Sequence, residues 1–112
     1  MSYGPDYIII EYYSGDAVTK SYRIKNRIDG SAVDLSGKEL VFTLKKGRSE
    51  VVEYVIRSSE GDISISGDDN DVVSLSIDFD SKGEEYRHDL YNETDDRTIF
   101  YGPFKTQKKV HE

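Results

Sequence analysis

The sequence predicts an all-β protein, an antiparallel β-sandwich of about eight short strands. Two observations carry that expectation. Apolar and polar residues alternate with a period of two along most of the chain, the pattern of strands with one buried and one wet face. Clusters of Gly, Asp, Asn and Ser punctuate those runs every eight to twelve residues or so, as turns require. No stretch holds the 3, 4 spacing of an amphipathic helix for more than a turn. A small barrel would share these signals; the sandwich is the preferred reading.

The elements follow in chain order. DYIIIEYY (6–13) is apolar on both faces and is expected to be covered on both sides. AVTKSYRIKN (17–26) turns inward at Val18, Tyr22 and Ile24. In DGSAVDLSG (29–37), two turn signals flank a short apolar step, Ala32, Val33 and Leu35, that can plug one end of the sandwich. ELVFTLKK (39–46) buries Leu40, Phe42 and Leu44, and VVEYVIR (51–57) alternates through Val52, Tyr54 and Ile56. Ile63 and Ile65 mark GDISISG, and Val73, Leu75, Ile77 and Phe79 mark DVVSLSIDFD. Tyr86, His88 and Leu90 continue the pattern in EEYRHDLYN, and Ile99 and Tyr101 in RTIFYGPF. Proline cannot donate to a ladder, so Gly102-Pro103 should bend the last strand or place it at an edge. The tail KTQKKVHE (105–112) is expected to fray.

With 112 residues the chain is expected to form one domain, 1–112. A chain of this size buries roughly two-thirds of its unfolded surface. Charged residues make up 33%, but nine Tyr and four Phe supply the bulk that disordered chains lack. There is no cysteine, which excludes disulfides, thiolate zinc sites and cysteine nucleophiles. MSYGPDYIII has neither the basic flank nor the apolar run of a signal peptide, and no segment approaches a membrane span, so synthesis in the cytoplasm and no membrane contact are expected.

The net charge is −7, unevenly distributed. Residues 58–96 hold thirteen acidic side chains against Lys82 and Arg87, whereas residues 20–57 hold nine basic ones against five acidic. An acidic chain repels nucleic acid overall, so no nucleic-acid partner is expected, the basic segment offering at most a local patch.

At this point a resemblance to a known group of domains becomes visible. An early strand, then DG, DLSG, LVFTLKK, an Ile-rich hairpin, EYRHDLY and finally RTIFYGPFKT resemble the small immunoglobulin-like β-sandwich domains of tailed-phage and prophage virions, among them the N-terminal domain of baseplate upper proteins and tail-fibre components. The resemblance covers about residues 15–110; where members have Pro-Gly before the Tyr of the penultimate strand, this chain has Lys82-Gly83-Glu84-Glu85. It implies an immunoglobulin-like sandwich of seven or eight strands and a structural or attachment role in a virion, with no catalytic residues to carry over.

The residues themselves offer little for catalysis. Of the two histidines, His111 lies in the tail and His88 alternates with Tyr86 and Leu90 as a structural core residue would. DFDSKGEEYRHD places Asp78, Asp80, Gly83, Glu84 and Asp89 at positions resembling a calcium loop. Lys82 at a ligand position and the strand-like flanks argue against it. SGDDND (66–71) is read as a solvated turn, and the Asn92-Glu93-Thr94 sequon as a turn between the last strands. No enzyme activity, cofactor or metal is expected.

Nine tyrosines exceed what one small core needs, and tyrosine supplies rigid amphipathic area at interfaces. Tyr13, Tyr91 and Tyr101 are the expected contact residues, because strand neighbours such as Tyr12 and Leu90 claim the inner face. At Tyr101, however, Ile99 shares its alternation and Phe100 competes for the core. Two roles follow. One is a non-enzymatic structural subunit of a virion, a homo-oligomer or a partner of other virion proteins, its charged regions meeting head to tail. The other is a carbohydrate-binding module for a host glycan, with exposed tyrosines as stacking platforms.

Overall fold

The structure, a computed structural model, describes residues 3–14, 17–79 and 85–108. Among the described residues nine strands form, in chain order: β1 (Asp6–Tyr7), β2 (Ile10–Ser14), β3 (Val18–Arg23), β4 (Leu40–Lys46), β5 (Val52–Arg57), β6 (Ile63–Ser66), β7 (Val72–Ile77), β8 (Tyr86–Asn92) and β9 (Arg97–Lys108). A single 3-10 turn, Ser58–Glu60, follows β5.

The larger sheet runs β1-β9-β8-β4-β5, with β2 also on β9, and the smaller runs β3-β7-β6. Consecutive strands β4 and β5 pair, as do β8 and β9, while β4 also pairs with β8 across the chain. This division of strands is that of an immunoglobulin-like sandwich, with β9, β8, β4 and β5 in one sheet and β3, β7 and β6 in the other. Antibody domains tie the two sheets by a disulfide, whose second half-cystine comes two residues after a tyrosine near the start of the penultimate strand. Here His88 stands two residues after Tyr86, buried and stacked on Phe42 with ring centroids 5.8 Å apart.

The alternation expected from the sequence is what fills the core. Phe42, Leu44, Leu90, Phe100 and Phe104 from the larger sheet meet Ile63, Val73, Leu75 and Ile77 from the smaller. Each such large side chain contributes about 1.5–3 kcal/mol through burial. The DGSAVDLSG segment closes one end as expected, with Val33 and Leu35 buried. It is held by two like turns. Asp29 Oδ1 accepts from the Ser31 amide and hydroxyl, and Asp34 Oδ1 accepts from those of Ser36. These bonds hold both carboxyls below the usual aspartate range.

Five expectations need correction. Val52, expected to alternate with Tyr54 and Ile56, is exposed, because β5 carries an extra residue at Glu53: Leu44 is opposite Tyr54 but Lys45 is opposite Val52. The opening run is not covered on both sides: it lies at the edge of the larger sheet, parallel to β9, and breaks at Ile8 and Ile9. Ile10 and Tyr12 are buried, whereas Tyr7 and Ile9 are exposed.

Gly102-Pro103 does not put β9 at an edge; β9 lies between β8 and the first two strands. The proline is tolerated because it faces the break between β1 and β2. Gly102 is required there: its φ is 152°, and a Cβ would lie 2.1 Å from the Ile8 carbonyl oxygen.

The expected frayed tail is ladder as far as Lys108, paired with β2; residues 109–112 lie outside the described residues.

The charge segregation along the chain is partly undone in space. Arg23–Asp71, Lys38–Asp95 and Arg57–Glu93 ion pairs join the basic half to the acidic half, because β3 pairs with β7 and β4 with β8.

Candidate functional site on the outer face of the larger sheet

Strand register puts one row of side-chain positions across the solvent face of the larger sheet. Val55 on β5 is opposite Thr43 on β4, Thr43 is opposite Asp89 on β8, Asp89 is opposite Tyr101 on β9, and Tyr101 is opposite Tyr7 on β1. Tyr7 and Tyr101 are 63% and 44% exposed and meet edge to face with ring centroids 5.6 Å apart. Beside them a groove of about 490 Å³ is lined by Thr43, Lys45, Arg48, Asp89 and both tyrosines.

The polar groups of the groove are tied to its walls. Thr43 Oγ1 donates to Asp89 Oδ1 at 3.1 Å. Arg87 donates to the carbonyls of Gly47 and Ser49 and to Glu50, and Lys45 donates to the other Glu50 oxygen. The two cations hold the Glu50 carboxyl below its usual range. Arg87 thereby fastens the turn between β4 and β5, and Arg48 at the rim has no partner among the described residues. His88 points away from this face. Its Nε2 bonds the Ile8 carbonyl and its Nδ1 is buried without a partner, so it does not join the Thr43–Asp89 pair.

Two of the three expected contact tyrosines lie on the strands that build this face. Tyr101 is exposed because β9 carries an extra residue: Leu90 is opposite Phe100 but Tyr91 is opposite Thr98, leaving Ile99 over. The bulge lets Ile99 and Phe100 both be buried, which resolves their competition and turns Tyr101 outward. Tyr91 is half-buried, and its hydroxyl donates to Asp96 Oδ1 across the turn between β8 and β9. Tyr13 lies on β2 in register with Gln107, and its side chain lies outside the described residues. Tyr7 was missed. Its exposure depends on β1 pairing with the far end of the chain, for which the sequence carries no local signal.

The remaining candidates resolve as follows. The calcium-like segment includes Asp80, Gly83 and Glu84, which lie outside the described residues; among the described residues no group of three His, Cys, Asp or Glu is placed to hold a metal. Asn92 of the sequon is fully buried, its amide donating to the Tyr3 hydroxyl and to Asp95. The SGDDND turn is exposed except at its end, where Asp71 is buried against Arg23 and Asn70 is half-buried.

No family model matches the chain, and no curated protein does. Among solved structures it is similar to extracellular domains 3–5 of Drosophila OTK, at 8% identity over 89% of this chain and 32% of that one, with a TM-score of 0.36. It is also similar to the NK cell receptor NKp44, a triggering partner in natural cytotoxicity, at 13% identity over 95% of this chain and 99% of that one, with a TM-score of 0.40.

Proposed function

We propose that the chain is a non-enzymatic structural or assembly subunit of a tailed-phage or prophage particle, repeated in copies that meet through the outer face of the larger sheet. The virion assignment rests on the sequence resemblance. The mode of action rests on one observation: Tyr7 and Tyr101 stand exposed side by side on paired strands. Paired aromatic side chains of this kind carry a disproportionate share of interface energy. Head-to-tail attraction between a basic and an acidic half carries less weight, since Arg23, Lys38 and Arg57 already pair with the acidic half within one chain.

The test compares wild type with Tyr101→Ser by sedimentation velocity. Tyr101 is half-exposed, so its loss leaves folding almost intact, and the expected result is a self-association at least tenfold weaker. Equal association by both proteins would contradict the reading.

The groove favours a second role, a carbohydrate-binding module for a host glycan. It joins an aromatic pair to Asp89, Thr43 and Arg48, which supply a stacking platform beside acceptors and donors for hydroxyl groups. Titration with millimolar saccharides, followed by Tyr101 resonances, would show saturable shifts for this role and none without it.

A further inference from the structure

The edge strand β5 carries a second surface. It ends the larger sheet, so the backbone groups along its far side have no strand partner among the described residues. Three of the seven exposed large hydrophobic residues among the described residues, Val51, Val52 and Val55, lie on or beside it. Soluble proteins usually blunt such an edge, and an open apolar one is a template for another strand.

We infer that β5 pairs antiparallel with β5 of a second copy about a two-fold axis at Val55, joining two larger sheets into one. This rests on the proposed self-association and specifies one of its contacts.

The register follows from charge and symmetry. A two-fold axis normal to the sheet requires paired residues to point to the same face, so the register is centred on one residue, and Tyr54 and Val55 are the centres that pair most of β5 with itself. Centring on Tyr54 sets Glu53 against Val55. Only centring on Val55 sets Glu53 of each copy against Arg57 of the other, giving two opposite-charge cross-strand pairs with the two Val55 side chains meeting between them. Glu53 is exposed, is the residue left over where β5 bulges against β4, and has no ion-pair partner within the chain among the described residues. Arg57 reaches Glu93 and Glu39 at 3.3 and 3.8 Å and remains partly exposed. The same dimer would place the row from Val55 to Tyr7 of each copy end to end, leaving both tyrosine pairs at the outer limits of one continuous face.

The experiment uses the full chain with Glu53→Arg and Arg57→Glu, each variant checked for folding by circular dichroism. Alone, Glu53→Arg sets Arg against Arg and Arg57→Glu sets Glu against Glu, and each is expected to lose the dimer by at least tenfold in dissociation constant. Mixed one to one, they regain it as a heterodimer, because both cross-strand pairs are again of opposite charge. Wild-type dimerisation by Glu53→Arg, or no heterodimer on mixing two folded variants, would overturn the register. If Tyr101→Ser dissociates the protein while Glu53→Arg does not, the outer-face reading stands and the edge pairing falls. A wild type that never associates removes both.

Discussion

His88 Nε2 lies 2.8 Å from the carbonyl oxygen of Ile8, reaching across β9 from the strand on its far side. The reason is in β9. The Ile8 amide donates to the Tyr101 carbonyl, and the next amide the parallel ladder would offer to Ile8 belongs to position 103, a proline. His88 is opposite Gly102, which has no side chain to block the ring, and the imidazole supplies the missing donor. Replacing it leaves a part-buried carbonyl unsatisfied. His88→Leu is expected to lose about 1–3 kcal/mol in denaturant unfolding. Pro103→Ala restores a backbone amide, so the double variant should lose less than the sum of the single changes.

The same histidine makes stability depend on pH. Burial, the largest influence, pushes the His88 imidazole below its ordinary value of 6.5, against the opposing effects of the Ile8 bond and Asp89. Below about 6.5 the unfolded chain takes up a proton that the folded chain resists, so stability falls as pH drops through that range. The carboxyls of Asp29, Asp34, Glu39 and Glu50 are also held low, but they act below the ordinary values of 3.8 and 4.5. Urea midpoints at pH 7.5 and 5.0 therefore isolate the histidine. Wild type is expected to lose more between them than His88→Leu; an equal loss contradicts the assignment.

Gly102 is where β9 tolerates the crossing chain. Gly102→Ala would put a methyl group 2.1 Å from backbone oxygen at a φ that favours glycine. A loss of about 3 kcal/mol or more is expected from strain and displaced pairing. Hydrogen exchange should show the loss concentrated in β1 and β2.

Asn92 anchors the N-terminal segment. Both its amide hydrogens are used, one on the Tyr3 hydroxyl and one on Asp95, and Arg97 sits 4.6 Å above the Tyr3 ring. Asn92→Ala is expected to cost about 2 kcal/mol and to speed proteolysis near Tyr3. Unchanged cleavage would show that the segment is held by other contacts.

Much of the sandwich was legible because alternation marks each strand by itself. Phe42, Leu75 and Leu90 could be assigned to the core from their neighbours alone, and Val33 and Leu35 from the paired turns around them. What the sequence concealed are relationships between distant segments. The parallel docking of β1 and β2 on β9 exposes Tyr7, the break opposite Pro103 keeps β9 inside the sheet, and the extra residue at Ile99 decides which way Tyr101 faces. The charge halves misled for the same reason: strands far apart in sequence lie side by side, so separation along the chain became in part pairing in space.

The most direct test of the central claim is the molar mass of wild type by light scattering, from micromolar to millimolar, at low and high salt. Contacts centred on Tyr7 and Tyr101 predict a mass that rises above 12.8 kDa with concentration and does so at high salt as well as low. A mass of 12.8 kDa under every condition would contradict self-assembly through that face.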